Sequence, residues 1–257
     1  MSKTMVTPAD GIAWVTGASS GIGREVAAQL AQAGWTVAVS ARRADELATL
    51  AAAHPGKIIA VPLDITDQLA VQVAVARITA EAGRPIVRAV LNAGTYLRDT
   101  APDFDVLKFK TQLDVNLLGT AACLAALMPA MLAAKKGQIG IVASLAGLAG
   151  LPAAVTYSAT KAALLAMAQS LKFDFDKAGL DISVILPGFV KTPLTDHNKF
   201  PMPLLMEVSD AARAILAGLD KGKFLIAFPG GLAWPLRFVR LLPAPLYFWL
   251  VAKSTKW

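Results

Sequence analysis

The sequence predicts an α/β protein: one doubly wound domain, a parallel sheet of about seven strands with helices on both faces. Three observations carry this. Short apolar runs alternate with segments of helical period from the first residues to Phe228, the pattern of a parallel sheet covered by crossover helices. A glycine-rich turn, TGASSGIG at 16–23, joins the first apolar run to the first helical segment. The right-handed crossover rule then leaves the doubly wound sheet as the leading topology.

Each element follows from local pattern. GIAWVTG is a buried strand, and REVAAQLAQAG is a helix with one apolar face and Gly34 as its stop. WTVAVSA is the second strand and ADELATLAAA the second helix. KIIAVPLD is a strand with Pro62 near its end. TDQLAVQVAVARITAEAG is helical, with Thr66 as its expected N-cap. IVRAVLNAG is a strand followed by a glycine turn, and one long helical region is expected from about Phe104 to Lys136. QIGIVAS is a strand, followed by a helix that carries Tyr157 and runs to about Lys177. DISVILPG is a strand, SDAARAILAGL a helix capped by Ser209, and KFLIAFP the last strand. No linker, internal repeat or low-complexity segment interrupts residues 1–228, which read as one domain.

Composition removes several function classes. Apolar residues make up 55% and charged residues 17%, the reverse of a disordered chain. The net charge of +7 is scattered rather than blocked, which argues against nucleic acid and leaves an anionic ligand or a membrane surface. The single cysteine, Cys123, lies in an apolar run and allows no disulfide within the chain. His54 and His197 stand in different polar contexts, and no metal-ligand spacing appears. A Ser-His-Asp hydrolase would lack its G-x-S-x-G elbow. The start, MSKTMVTPADG, has no apolar core of a secretory signal, so a cytoplasmic location is expected.

Two motifs carry chemistry. Tyr157 and Lys161 stand four apart in VTYSATKAA, on one face of a helix. A cation beside a phenol favours the phenolate and makes the phenol a better proton donor near neutral pH. In TGASSGIG the glycines allow a tight turn and close approach of a pyrophosphate, and the following helix N-terminus supplies N–H groups and a favourable dipole.

The glycine spacing is G-x-x-x-G-x-G, at Gly17, Gly21 and Gly23. With LNAG at 91–94, Asn116, Ser144, the YSATK pattern and PG at 187–188 in the same order, residues 10–228 resemble the short-chain dehydrogenase/reductase family. Leu91 departs from it, since many members have a second Asn there. The resemblance implies a Rossmann fold with Tyr157 as general acid or base, and Lys161 lowering its pKa together with the positive nicotinamide of the oxidised cofactor and holding the nicotinamide ribose. It makes Ser144 a ligand of the substrate oxygen and Asn116 the anchor of a water chain to Lys161. It places the dinucleotide against Gly17, Ser19, Ser20, Gly21, Ile22 and Gly23, then Asp64 at the adenine, Asn92, Ala93 and Gly94. Pro187, Gly188, Val190 and Thr192 follow, with Thr192 at the nicotinamide amide. It also implies a homodimer or homotetramer, built on the helices of Asn116 and Tyr157 with their small apolar faces.

The second strand ends in VSARRADEL. Related NAD enzymes carry an acid at the position of Ala41, and Arg42 and Arg43 follow it here. A guanidinium clamps a 2′-phosphate, so NADP(H) is the expected cofactor with Arg42 as main contact and Arg43 beside it. Residues 193–208 are expected to cover the active site with Phe200, Met202, Leu204, Leu205 and Met206, which suits an apolar substrate. Residues 229–257 form a hydrophobic, basic extension broken by Pro235, Pro243 and Pro245, a poor transmembrane helix. It has three uses open to it: peripheral membrane contact through 232–251, a subunit contact, or a wall of the substrate pocket. The expected activity is NADPH-dependent reduction of an apolar ketone or aldehyde. The alternatives are reduction of a 3-oxoacyl thioester and, outside catalysis, a cofactor-binding sensor or scaffold.

Overall fold

The computed structural model describes residues 5–196 and 202–255, so His197 and Phe200 lie outside the described residues. The strands are β1 (Ile12–Thr16), β2 (Val37–Ser40), β3 (Ile58–Ala60), β4 (Ile86–Leu91), β5 (Gln138–Val142), β6 (Asp181–Pro187) and β7 (Leu225–Phe228). They form one parallel sheet in the order β3-β2-β1-β4-β5-β6-β7. The central strands are buried at every position, as a sheet covered on both faces requires. The order reverses between β1 and β4, which opens a crevice at their carboxyl ends.

The helices are α1 (Gly21–Gln32), α2 (Ala44–Ala53), α3 (Gln68–Ala82), α4 (Val106–Leu113), α5 (Gly119–Ala134), α6 (Val155–Ala178), α7 (Val208–Leu219), α8 (Gly230–Val239) and α9 (Ala244–Thr255). Two apolar cores flank the sheet. One packs Val26 and Leu30 of α1, Leu47 of α2 and Ile215 of α7 against Val15 and Val39. The other packs Ile78 of α3, Leu124 and Leu127 of α5, and Leu164 of α6 against Trp14 and Ile139. Trp14 is fully buried, and its indole N–H donates to Ser40 Oγ at 3.0 Å.

Three local expectations are corrected. Asp67, not Thr66, caps α3: its carboxylate accepts from the Ala70 N–H, while Thr66 donates to Asp64. Helix α7 begins one residue before Ser209, with Glu207 at its cap. The region expected as one helix from Phe104 begins at Val106 and changes winding at Asp114–Leu118, a π-helical turn centred on Asn116. The run Val106–Ala134 is long and apolar enough to cross a membrane, yet α5 buries Cys123, Leu124, Leu127 and Met131 in the core. In the extension Pro235 lies inside α8 without ending it, and Pro243 and Pro245 mark the turn into α9.

Candidate active site

The crevice is built from the strand ends. The chain leaves β1 through Gly17, whose φ of +66° and close approach to the Ala93 backbone exclude a side chain: a Cβ there would stand 2.7 Å from Ala93 Cα. Thr16 Oγ1 accepts from the N–H groups of Asn92 and Ala93 at 3.0 and 3.2 Å. Asn92 returns the contact, its Nδ2 donating to the carbonyls of Thr16 and Gly17 at 3.2 Å each. Asn92 therefore fastens the glycine loop to the end of β4, and Thr16 is a site residue that motif reading missed. A buried Thr at the end of a strand leaves no signature without its partner in view.

Helix α1 starts at Gly21 with no side-chain cap from Ser20. The orphan donors of a first turn and its dipole are the groups that hold a pyrophosphate, so the loop fits a dinucleotide. Thr192 lies over this turn, its methyl group 3.0 Å from where a Gly21 Cβ would stand. Val190 pairs with Met206, and the Gly188 N–H donates to Phe228 O at 2.7 Å, which fixes the segment after Pro187. At the end of β2 the Arg43 guanidinium donates to Ser19 Oγ at 3.0 and 3.3 Å, while Arg42 stands near Asp64. Asp64 is held below the usual carboxylate range by the Thr66 N–H, then by the Thr66 hydroxyl and Arg42, against a partial desolvation.

The catalytic candidates lie on the π turn before α5, on α6 and in the loop after β5. The Lys161 ammonium is buried and donates to Val142 O at 2.9 Å, 5.5 Å from the Tyr157 ring centroid. Asn116 is fully buried in its π turn. Its Oδ1 accepts from the Thr95 N–H at 2.7 Å, and its Nδ2 donates to Thr95 O at 2.9 Å and Thr160 Oγ1 at 3.1 Å. A Cβ on Gly94 would lie 3.2 Å from Asn116 Oδ1 and 3.3 Å from Lys161 Nζ, so Gly94 keeps open the space between them. Ser144 begins the short turn after β5, its hydroxyl accepting from the Ala146 N–H and lying beside the Tyr157 phenol. Tyr96 packs edge-on to Tyr157 with centroids 5.2 Å apart.

Burial governs the ionisation of the pair. It pushes the Tyr157 phenol up to about 12, past the opposing pull of the Ser144 hydroxyl. It brings the Lys161 ammonium down to about 8. The sequence expectation of a phenol lowered by Lys161 is thus not met by the protein alone: the same burial that brings the two groups together desolvates both. Asp99, also missed, caps the helix that carries them, accepting from the Thr156 N–H at 2.9 Å and from the Thr156 hydroxyl.

The extension packs against the loops around Ser144. A Cβ on Gly188 would meet Leu145 beside Ser144 and Leu232 of α8, at 3.2 and 3.3 Å. The Tyr247 hydroxyl of α9 donates to Gly150 O in the loop that leads to α6. Leu204, in the segment expected to cover the site, lies against Gly231, though Leu204 and Leu205 remain exposed.

The family description short chain dehydrogenase matches residues 11–200. The chain belongs to the short-chain dehydrogenase family. Its curated relatives are oxidoreductases: one from Myxococcus xanthus, of uncharacterised activity, is 39% identical over 238 residues, 91% of this chain and 94% of the relative. Another from Staphylococcus epidermidis is 32% identical over 212 residues, 82% and 91% of the two chains. Among solved structures, a short-chain dehydrogenase from Streptomyces avermitilis is similar at a TM-score of 0.82 and 28% identity, over 96% of each chain. A structure of ElxO with NADP bound is similar at a TM-score of 0.79 and 25% identity, over 87% of this chain and 98% of that one. This short-chain dehydrogenase is an oxidoreductase of a family that works with NAD(P).

Proposed function

We propose that the protein reduces the carbonyl of an apolar ketone or aldehyde with NADPH, reversibly. The observation that carries this is the meeting of Tyr157, Ser144 and Lys161 beside the glycine loop. When bound, the nicotinamide supplies or accepts the hydride. Tyr157 gives a proton to the carbonyl oxygen, and takes one from the alcohol in reverse. Ser144 donates a hydrogen bond to the same oxygen and steadies the charge that grows there. Lys161 holds positive charge near the phenol and reaches the ribose; Asn116 and Thr95 hold the floor between them. Arg42 and Arg43 recognise the 2′-phosphate, with no carboxylate at Ala41 to repel it. Arg43, already turned onto Ser19, shares this role with Arg42. Leu232 and the covering segment make the substrate side apolar, which favours a lipid-derived or steroid-like carbonyl.

The test measures NADPH and NADH consumption side by side with apolar aldehydes, ketones, steroids and 3-oxoacyl thioesters. NADPH supports turnover, and Tyr157→Phe lowers kcat by about 10²–10⁴-fold while NADPH still binds. Equal use of NADH overturns the role of the arginines. Survival of turnover in Tyr157→Phe overturns the proton donor.

A further inference from the structure

Residues 229–257 contain Arg237, Arg240, Lys253 and Lys256 and no Asp or Glu. On α8, Trp234 and Phe238 stand four apart on one helix face and are 59% and 65% exposed, and Leu241 in the turn that follows is 75% exposed. On α9, Phe248 and Trp249 are 66% and 55% exposed. The cations stand beside these rings: the Arg237 guanidinium lies 5.0 Å from the Trp234 centroid and the Lys253 ammonium 4.9 Å from that of Trp249. A cavity of about 350 Å³ opens beside Trp234, between α7, β7 and α8, with Lys221, Lys223 and Arg237 in its wall.

Aromatic bodies with cations at their sides suit a lipid interface, where rings enter the acyl boundary and charges stay among headgroups. A second copy suits this surface poorly. An isologous contact would set Arg237, Arg240 and Lys253 against their own equivalents on a chain of net charge +7. We infer that α8 and α9 form a docking surface for an anionic phospholipid bilayer. The rings of Trp234, Phe238, Phe248 and Trp249 enter it, and Arg237, Arg240 and Lys253 meet phosphates. The cavity lined by Lys221 and Lys223 offers one headgroup a seat.

The full chain is sedimented with vesicles of phosphatidylcholine alone and of equal parts phosphatidylcholine and phosphatidylglycerol. It pellets with the second only, and added salt weakens the binding. Each of R237A, R240A and K253A weakens binding about fivefold, and all three together by roughly two orders of magnitude. The combined variant W234S/F238S/W249S, checked for folding by circular dichroism, loses the vesicles. K57A/R77A, which removes charge elsewhere on the surface, keeps them. Absence of pelleting with anionic vesicles overturns the inference. So does undiminished binding by the aromatic variant, which would reduce the effect to general attraction of a basic chain. A wild-type oligomer that the aromatic variant dissociates, with no vesicle binding, would assign the surface to a second copy instead. None of these readouts requires turnover, so they stand apart from the reductase reading.

Discussion

Tyr157 and Lys161 show how one physical cause acts in opposite directions on two side chains. The folded Lys161 loses its proton near pH 8, against an ordinary value of 10.5. Between those values the unfolded chain holds a proton that the folded chain has released, so stability rises with pH across that window. Below it the cost of the buried ammonium is present in full. Tyr157 acts in the other sense: from pH 10 to about 12 the folded chain keeps a proton the unfolded chain gives up, and stability falls. Denaturant melts against pH should therefore show wild type gaining on Lys161→Met from pH 8 to 10.5, and losing to Tyr157→Phe above pH 10. Parallel curves would mean that both groups are solvated. The pairing itself was legible, because four-residue spacing fixes a helix face. The ionisation was not, because burial belongs to the surrounding Tyr96, Val142 and Ser144, which lie far apart in sequence.

Elements place these residues. Helix α6 begins at Val155, and the carboxylate that caps its first turn comes from Asp99, across the β4–α4 connection. Asp99 is 1% exposed, and its other oxygen has no partner among the described residues. Asp99→Ala should cost about 1–2 kcal/mol, a fall of several degrees in Tm for a chain of this size. It should also lower kcat more than it raises the KM for NADPH, because the cap aims Tyr157 rather than the glycine loop. An unchanged kcat would make Asp99 a stability residue only. Strands and most helices were readable from apolar period, since a sheet buried on both faces writes itself as continuous apolar runs. The π turn around Asn116 was not: α5, which follows it, is apolar all round, so the shift of phase leaves no mark in the pattern. Pro235 misled for another reason: it lies in the interior of a short helix, where it removes one backbone hydrogen bond without ending the helix.

At the scale of the whole molecule, one sheet and one pair of cores run past the end of the family match. Residues 11–200 match short-chain dehydrogenases, while α7, β7, α8 and α9 lie beyond that match. The outer side of α6 exposes Ala162, Ala166 and, at 72%, Phe173, and Leu118 and Leu132 are exposed on the neighbouring run. These small and apolar surfaces support the expected homodimer or homotetramer. Sedimentation equilibrium should find a multiple of 26.9 kDa. Phe173→Glu should shift it toward the monomer, as burying a charge without a partner is costly. A wild-type monomer would leave those surfaces for another occupant.

Thr16 binds the ends of β1 and β4 into one body: its hydroxyl takes two N–H groups from the β4 end, and its carbonyl takes the Asn92 amide. The place where a pyrophosphate would sit is therefore set during folding rather than at the moment of encounter. Recognition at that end begins from a stationary receptor, with little backbone freedom left to surrender. In the proposed function, selectivity between the two dinucleotides then falls to the exposed, long-armed Arg42 and Arg43. Changing which coenzyme the protein prefers becomes a matter of surface chemistry at the rim, separable from the interior that keeps the crevice in shape.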